Sequence, residues 1–157
     1  MPLKLITWNI NSVRLRIAQV MRVLDAERPD VICLQETTCP DGVFPTAPFS
    51  ERGYVHGAIT GQKGYHGVAT FSRLPFAAVE RLRFGGRDDA RHVAVTLGEG
   101  AGAGIAIHNF YVPAGGDIPD PALNEKFAHK LAFLDELRAW CAASPPRRSV
   151  LVGDLNV

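Results

Sequence analysis

At four places in the 157-residue chain an apolar run ends on carboxylates, amides or a phenol. Val150-Leu151-Val152 stops at Gly153 and leads to Asp154 and Asn156, with Leu155 between them. Leu3 to Trp8 gives way to Asn9-Ile10-Asn11, Val31 to Leu34 to Gln35-Glu36-Thr37, and the run from Ile105 to Asn109-Phe110-Tyr111. Alternate residues of an extended chain share a face, so Asp154 is expected beside Asn156 and Asn9 beside Asn11, with Leu155 turned to the core. Carboxylate and amide oxygens fixed on strand ends suit an oxygen-loving cation or a phosphate. Tyr111 in such a site offers a hydroxyl that can donate to a developing negative oxygen. Each feature alone has a plainer reading. Asp and Asn close Asx turns, Glu36 reads as a solvated loop carboxylate, and core tyrosines have satisfied hydroxyls. Recurrence at four strand ends favours chemistry.

The elements that must hold these residues follow from periodicity. Ile17, Val20, Met21 and Leu24 recur at helical spacing, Arg14, Arg16, Arg22 and Arg28 lie off that stripe, and Pro29 stops the helix. Val31 to Leu34 is a continuous apolar run of the kind buried on both faces. Strand, helix, strand predicts a parallel pair with a right-handed crossover, which sets Asn9 and Glu36 at neighbouring carboxyl ends, where such sheets bind ligands. Residues 38–52, rich in Pro, Gly and small side chains, read as a surface excursion. Further strands are expected over Gly53 to Ile59, Val68 to Ser72, Phe76 to Phe84, His92 to Leu97 and Ile105 to Tyr111. The glycine-punctuated loop 61–67 carries Lys63 and Tyr65, and serves either as a hairpin connection or as an approach to a sugar-phosphate backbone. Arg91, after a charged turn, is a candidate phosphate contact or a solvated turn arginine. Gly98 to Gly104 reads as a flexible hairpin tip and lacks the lysine and helix of a P-loop. Phe127, Leu131, Leu134, Leu137 and Cys141 mark a second amphipathic helix, ended by Ser144-Pro145-Pro146.

Composition narrows the class. With 46% hydrophobic and 21% charged residues the chain is neither disordered nor fibrous. A net charge of +1 excludes a blanket electrostatic nucleic-acid binder but leaves room for local basic patches. Cys33, Cys39 and Cys141 form an odd set without metal-ligand spacing, as in a reduced cytoplasmic protein, and zinc is not expected. The start of the chain lacks the pattern of a signal peptide, and no apolar run approaches membrane-spanning length.

Thr7-Trp8-Asn9-Ile10-Asn11, Leu34-Gln35-Glu36-Thr37, Gly64-Tyr65-His66-Gly67-Val68-Ala69, Asn109-Phe110-Tyr111-Val112-Pro113 and Gly153-Asp154-Leu155-Asn156 resemble, in that order, signature stretches of the exonuclease III family. Any one of them is a weak signal; five in order are specific. The resemblance implies an α/β chain forming the first half of a four-layered, DNase I-like sandwich. It also implies Mg²⁺-dependent hydrolysis of DNA phosphodiesters at abasic sites and 3′ ends, with Mn²⁺ as a substitute ion. It makes Glu36 a metal carboxylate with Asn9 and Asn11 nearby. Asp154 becomes the residue that orients or deprotonates water, with Asn156 steadying the phosphate or the metal shell and Tyr111 bonding the reacting phosphate. Asn9, Glu36, Asp154 and Asn156 are the implied metal set, and Lys63, Tyr65 and Arg91 the implied contacts to double-stranded DNA.

In that family the chain continues past the Gly-Asp-x-Asn strand into a second half with further aspartates and a histidine. His56, His66, His92, His108 and His129 do not stand in that histidine's context. Residues 1–157 are therefore expected to be the amino-terminal part of a single domain, inactive alone. The second sheet is expected to be missing, which would leave the first sheet's inner face exposed and drive self-association. The alternatives are a non-catalytic nucleic-acid-binding regulator of the same fold and a phosphatase of the wider superfamily.

Overall fold

The computed structural model describes residues 2–143 and 147–157; the expected helix stop at Ser144-Pro145-Pro146 lies outside them. β1 (Leu5–Asn9), α1 (Val13–Glu27) and β2 (Val31–Gln35) form the crossover unit read from the sequence, with β1 and β2 parallel and Asn9 opposite Gln35. The helix ends because Arg28 turns left-handed and its N–H bonds Leu24 O, ahead of Pro29. A short helix, α2 (Ala47–Ser50), and the strands β3 (His56–Thr60) and β4 (Val68–Ser72) follow. The remaining elements are β5 (Phe76–Glu80), β6 (His92–Leu97), β7 (Ala106–Tyr111), α3 (Glu125–Ala143) and β8 (Ser149–Asp154). One sheet runs β1-β2-β4-β3 and the other β5-β6-β7-β8, with β7 and β8 parallel across the α3 connection. Each sheet thus carries one parallel strand–helix–strand pair.

Strand alternation builds the layers. In β2, Ile32 and Leu34 face outward onto Val13, Val20, Met21 and Leu24 of α1, while Val31 and Cys33 face inward onto Val93, Val95, Leu97 and Ile107 of the other sheet. Phe110 faces the opposite way, onto Phe133 of α3 and Phe84. The order is helix, sheet, sheet, helix. This overturns the expectation that the second sheet is missing: both sheets are present among the described residues, and the inner face of the first is buried against the second. All four layers are here, so self-association through a bare inner face has no basis. The flank where β1 and β8 are the sheet edges does carry partly exposed Val150 and Leu151.

Two other expectations are corrected. Residues 38–52 are no mere surface excursion, because Phe44 and Phe49 are buried and Phe49 stacks on Phe71 with ring centroids 4.1 Å apart. The strand expected to reach Phe84 ends at Glu80; beyond it Arg81 bonds Ile59 O and Thr60 Oγ1. The tip at 98–104 closes the β6–β7 hairpin, as expected, with Gly104 N–H bonded to Leu97 O and Gly102 pressed on the Leu97 side chain.

Two amides cross the inter-sheet layer. Gln35 Nε2 donates to Asn109 Oδ1 at 2.8 Å and to Thr7 Oγ1 at 3.1 Å. Asn109 Nδ2 reaches Leu34 O at 3.2 Å and Ala69 O at 3.1 Å. Both side chains are fully buried, so each bond replaces water that has no access.

Asn109→Ala leaves these partners unmatched, and a loss of about 3 kcal/mol is expected in urea unfolding, most of it recovered in the Gln35→Leu/Asn109→Leu pair. A second expectation concerns His92, whose Nδ1 accepts Leu82 N–H and whose Nε2 meets His108 Nδ1 at 3.1 Å. Burial, and then His108, push its pKa down to about 3. The unfolded state binds more protons between the ordinary histidine value and about 3, so stability falls as pH drops through that window. His92→Gln should flatten that acid limb in thermal melts taken at descending pH.

Candidate active site

The four strand ends singled out in the sequence meet on one rim. Asn9 and Gln35 are paired neighbours at the carboxyl ends of β1 and β2, and Tyr111 and Asp154 are paired neighbours at those of β7 and β8. Two side-chain bonds close the ring between the sheets. Asn9 Nδ2 donates to Asp154 Oδ2 at 2.8 Å, and Tyr111 Oη donates to Glu36 Oε1. Burial first, then the Glu36 bond, raise the Tyr111 phenol far above its ordinary range. It remains a donor at neutral pH.

The rim backbone is held in conformations a free loop would avoid. Asn11, Ser12, Glu36, Thr38, His66, Ala90 and Asn156 all have positive φ, between 43° and 85°. Such residues each cost about 1 kcal/mol or more unless their surroundings fix them. Here they are stitched together. Ser12 N–H bonds Glu36 O at 2.7 Å, Thr38 N–H bonds His66 O at 2.8 Å, and Gly67 N–H bonds Ala90 O at 3.0 Å. Gly67, at φ +94°, has no room for a Cβ beside Thr37 Oγ1.

The strand alternation that pairs Asp154 with Asn156 stops at Asp154. Asn156 is left-handed, its N–H closes an Asx turn on Asp154 Oδ1 at 3.2 Å, and its Nδ2 donates to Val112 O at 2.8 Å. Leu155 is 42% exposed and does not enter the core. Asn9 makes the matching turn, its Oδ1 accepting Asn11 N–H at 3.1 Å, and Asn11 points to solvent. Lys63 and Tyr65 stand exposed on their loop. Arg91 is not a solvated turn arginine. Its side chain is 9% exposed and bonded to Asp89, His66 and the Tyr111 carbonyl, on the wall of a cavity that Tyr111 and His129 also line. His66, Asp89 and His129, which the sequence did not single out, join it behind Tyr111.

The donors here are hard oxygens. Glu36 keeps one carboxylate oxygen without a protein partner among the described residues, and Asp154 and Asn9 orient one another. Among the described residues no group of three or more His, Cys, Asp or Glu could cage an ion. That sparse set fits Mg²⁺, which keeps several waters and takes one or two carboxylates.

Residues 6–157 match the model of the Endonuclease/Exonuclease/phosphatase family. Exodeoxyribonuclease III of Haemophilus influenzae is 28% identical over 158 residues, which cover 99% of this chain and 58% of that protein. An AP endonuclease structure from Archaeoglobus fulgidus superposes with a TM-score of 0.85 at 33% identity, over 99% of this chain and 58% of that one. A 3′ phosphatase from Neisseria bound to product DNA hairpin gives a TM-score of 0.84 at 29% identity, with the same two coverages. The chain belongs to the endonuclease/exonuclease/phosphatase family, in its exonuclease III and AP endonuclease branch, and has the DNase I-like fold. It spans a little over half the length of these relatives.

Gly153 tests how the ring is held. A Cβ there would strike the Phe110 carbonyl, at a backbone φ of +139°. Gly153→Ala should force β8 from β7, destabilise the chain by about 1–3 kcal/mol, and release the Asn9 side-chain amide to solvent exchange, as read by NMR.

Proposed function

We propose that the rim closed by the Asn9–Asp154 and Tyr111–Glu36 bonds is the metal-dependent site of a DNA phosphodiester hydrolase, acting on double-stranded DNA at abasic sites and 3′ ends. The convergence of these four residues from both sheets is the observation that carries the reading. A module that only bound or regulated nucleic acid would need no such convergence. Relatives described as exodeoxyribonuclease III and AP endonuclease support the DNA branch over lipid or inositol phosphatases.

Glu36, through its open oxygen, and Asn9 would hold Mg²⁺, with Mn²⁺ as a substitute; when bound, the ion offsets charge on the scissile phosphate. Asp154, fixed by Asn9 on one oxygen, is the group that orients or deprotonates water. With a phosphate bound, Tyr111 would turn its single hydroxyl proton from Glu36 Oε1 toward the phosphate oxygen on which charge develops. Asn156 retains a side-chain oxygen beside Asp154 for the metal's waters or the phosphate. Lys63 and Tyr65, both exposed on the loop that leads to His66, would serve as backbone contacts, the tyrosine offering a face for a base to stack on. We extend the proposal to a reducing, cytoplasmic setting on the odd, irregularly spaced cysteine set alone; burial of Cys33 pushes its thiol up to about 12.

The division of labour is testable in the natural protein on an abasic-site duplex. Glu36→Ala should shift the Mg²⁺ requirement upward. Asp154→Asn should lower turnover by about 100- to 1,000-fold with DNA affinity kept. Two variants with the same Mg²⁺ titration and the same turnover would contradict these roles. A 3′-phosphate duplex run in parallel separates end trimming from strand cleavage.

A further inference from the structure

Behind Tyr111 lies an ionic cluster with no role in the steps above. Arg91 stands directly ahead of β6, and all three of its guanidinium nitrogens are engaged. Nε donates to the Asp89 carboxylate, Nη1 to Tyr111 O at 3.1 Å and Nη2 to His66 Nε2 at 3.0 Å. The guanidinium carbon stands 5.0 Å from the Tyr111 ring centroid, within cation–π range. Tyr111 N–H returns a bond to Arg91 O at 2.9 Å. Asp89 is the hub. The carboxylate oxygen that takes Arg91 also accepts His129 Nε2 at 3.2 Å, and the Asp89 carbonyl takes His66 Nδ1 at 3.1 Å. Because His66 Nε2 accepts from Arg91, its proton sits on Nδ1; burial, and then Arg91, depress its pKa and keep it neutral.

Holding the fold together does not call for this arrangement. Buried ion pairs are costly to desolvate, and well-packed apolar side chains of similar volume stabilise as well or better. A guanidinium adds direction. Its planar fork fixes several acceptors at set angles, which a lysine point charge cannot do. Here it grips the backbone and the ring face of one residue at once, the residue whose hydroxyl reaches Glu36.

We propose that Arg91, oriented by Asp89, is the positioning residue of Tyr111: it sets the ring so that the hydroxyl meets Glu36 and the reacting phosphate, and it does not contact DNA itself. This rests on the reading of the rim as a phosphodiesterase. His66 and His129 tie the same cluster to the 61–67 loop and to α3, so a displacement of either is felt at the ring.

The chain has three tyrosines, Tyr54, Tyr65 and Tyr111, so ¹³C-tyrosine labelling gives three ring environments, assigned with tyrosine-to-phenylalanine variants. Arg91→Met and Arg91→Lys should shift the Tyr111 ring signals and leave Tyr54 and Tyr65 in place. Asp89→Asn, which keeps its shape and one acceptor, should give the same signature at smaller size. In the natural protein Arg91→Met should lower kcat by about 100-fold with KM for DNA little changed, the scale of loss that misplacing a reacting group produces. Arg91→Lys should recover only part of that loss. Tyr111 signals that stay put in the folded variants, with kcat falling only as the unfolded fraction rises, would overturn the proposal. So would a collapse of KM with kcat intact, which would make Arg91 a DNA contact. Shifted Tyr111 signals in a protein whose wild type cleaves no DNA would sink the phosphodiesterase reading and leave the positioning role standing.

Discussion

The hydrogen bond between Gln35 and Asn109 is the constraint on which the rest of the rim depends. It spans the two sheets where neither side chain can find water, and its outer partners on β1, β2 and β4 complete the set. An apolar inter-sheet layer leaves the sheets free to slide by fractions of a strand spacing, since hydrophobic contact has no preferred angle. Amides with directional partners remove that freedom. Gln35 directly precedes Glu36, and Asn109 lies two residues before Tyr111. The register locked in the dry layer is therefore handed on to the two side chains that bond each other across the rim.

Rigidity in the core permits the irregularity above it. Seven residues around the rim hold left-handed backbones, and the hydrogen bonds that keep them there run between loops from different parts of the chain. No single loop could keep this geometry by itself. Substitutions that relax one loop can raise stability and still disturb the placement of Glu36 or Asp154, the usual conflict between stability and function.

Much of this was legible in the sequence because its signals are local. Apolar periodicity gave the first strand–helix–strand unit and the separate elements of the second, and residue types at strand ends drew attention to Asn9, Glu36, Tyr111 and Asp154. Where the reading failed, the deciding contacts were remote in sequence or the local rule had lapsed. Alternation gave Asn11, Leu155 and Asn156 the wrong directions because the strands end before them and the chain turns left-handed. Proline- and glycine-rich composition hid Phe44 and Phe49, which find Phe71 only after folding. The sequence reads Arg91 as a phosphate contact or a solvated turn arginine and does not show its enclosure, because His66 and His129 lie on other elements; its single clue is the acidic residue two positions before it. The second sheet was overlooked because an alternating strand shows that a face is buried and not what buries it.

The Asn9–Asp154 bond joins residues 145 positions apart. On a ribosome making about 5–20 residues per second, β8 emerges on the order of 7–30 s after β1. The first strand–helix–strand unit can form early from contacts near in sequence, whereas the rim has to wait for β8 to dock beside β7. The Asn9–Asp154 pair is thus absent from the nascent chain until β8 has docked. The order of synthesis acts as a timer, so a chain halted before β8 carries an open rim.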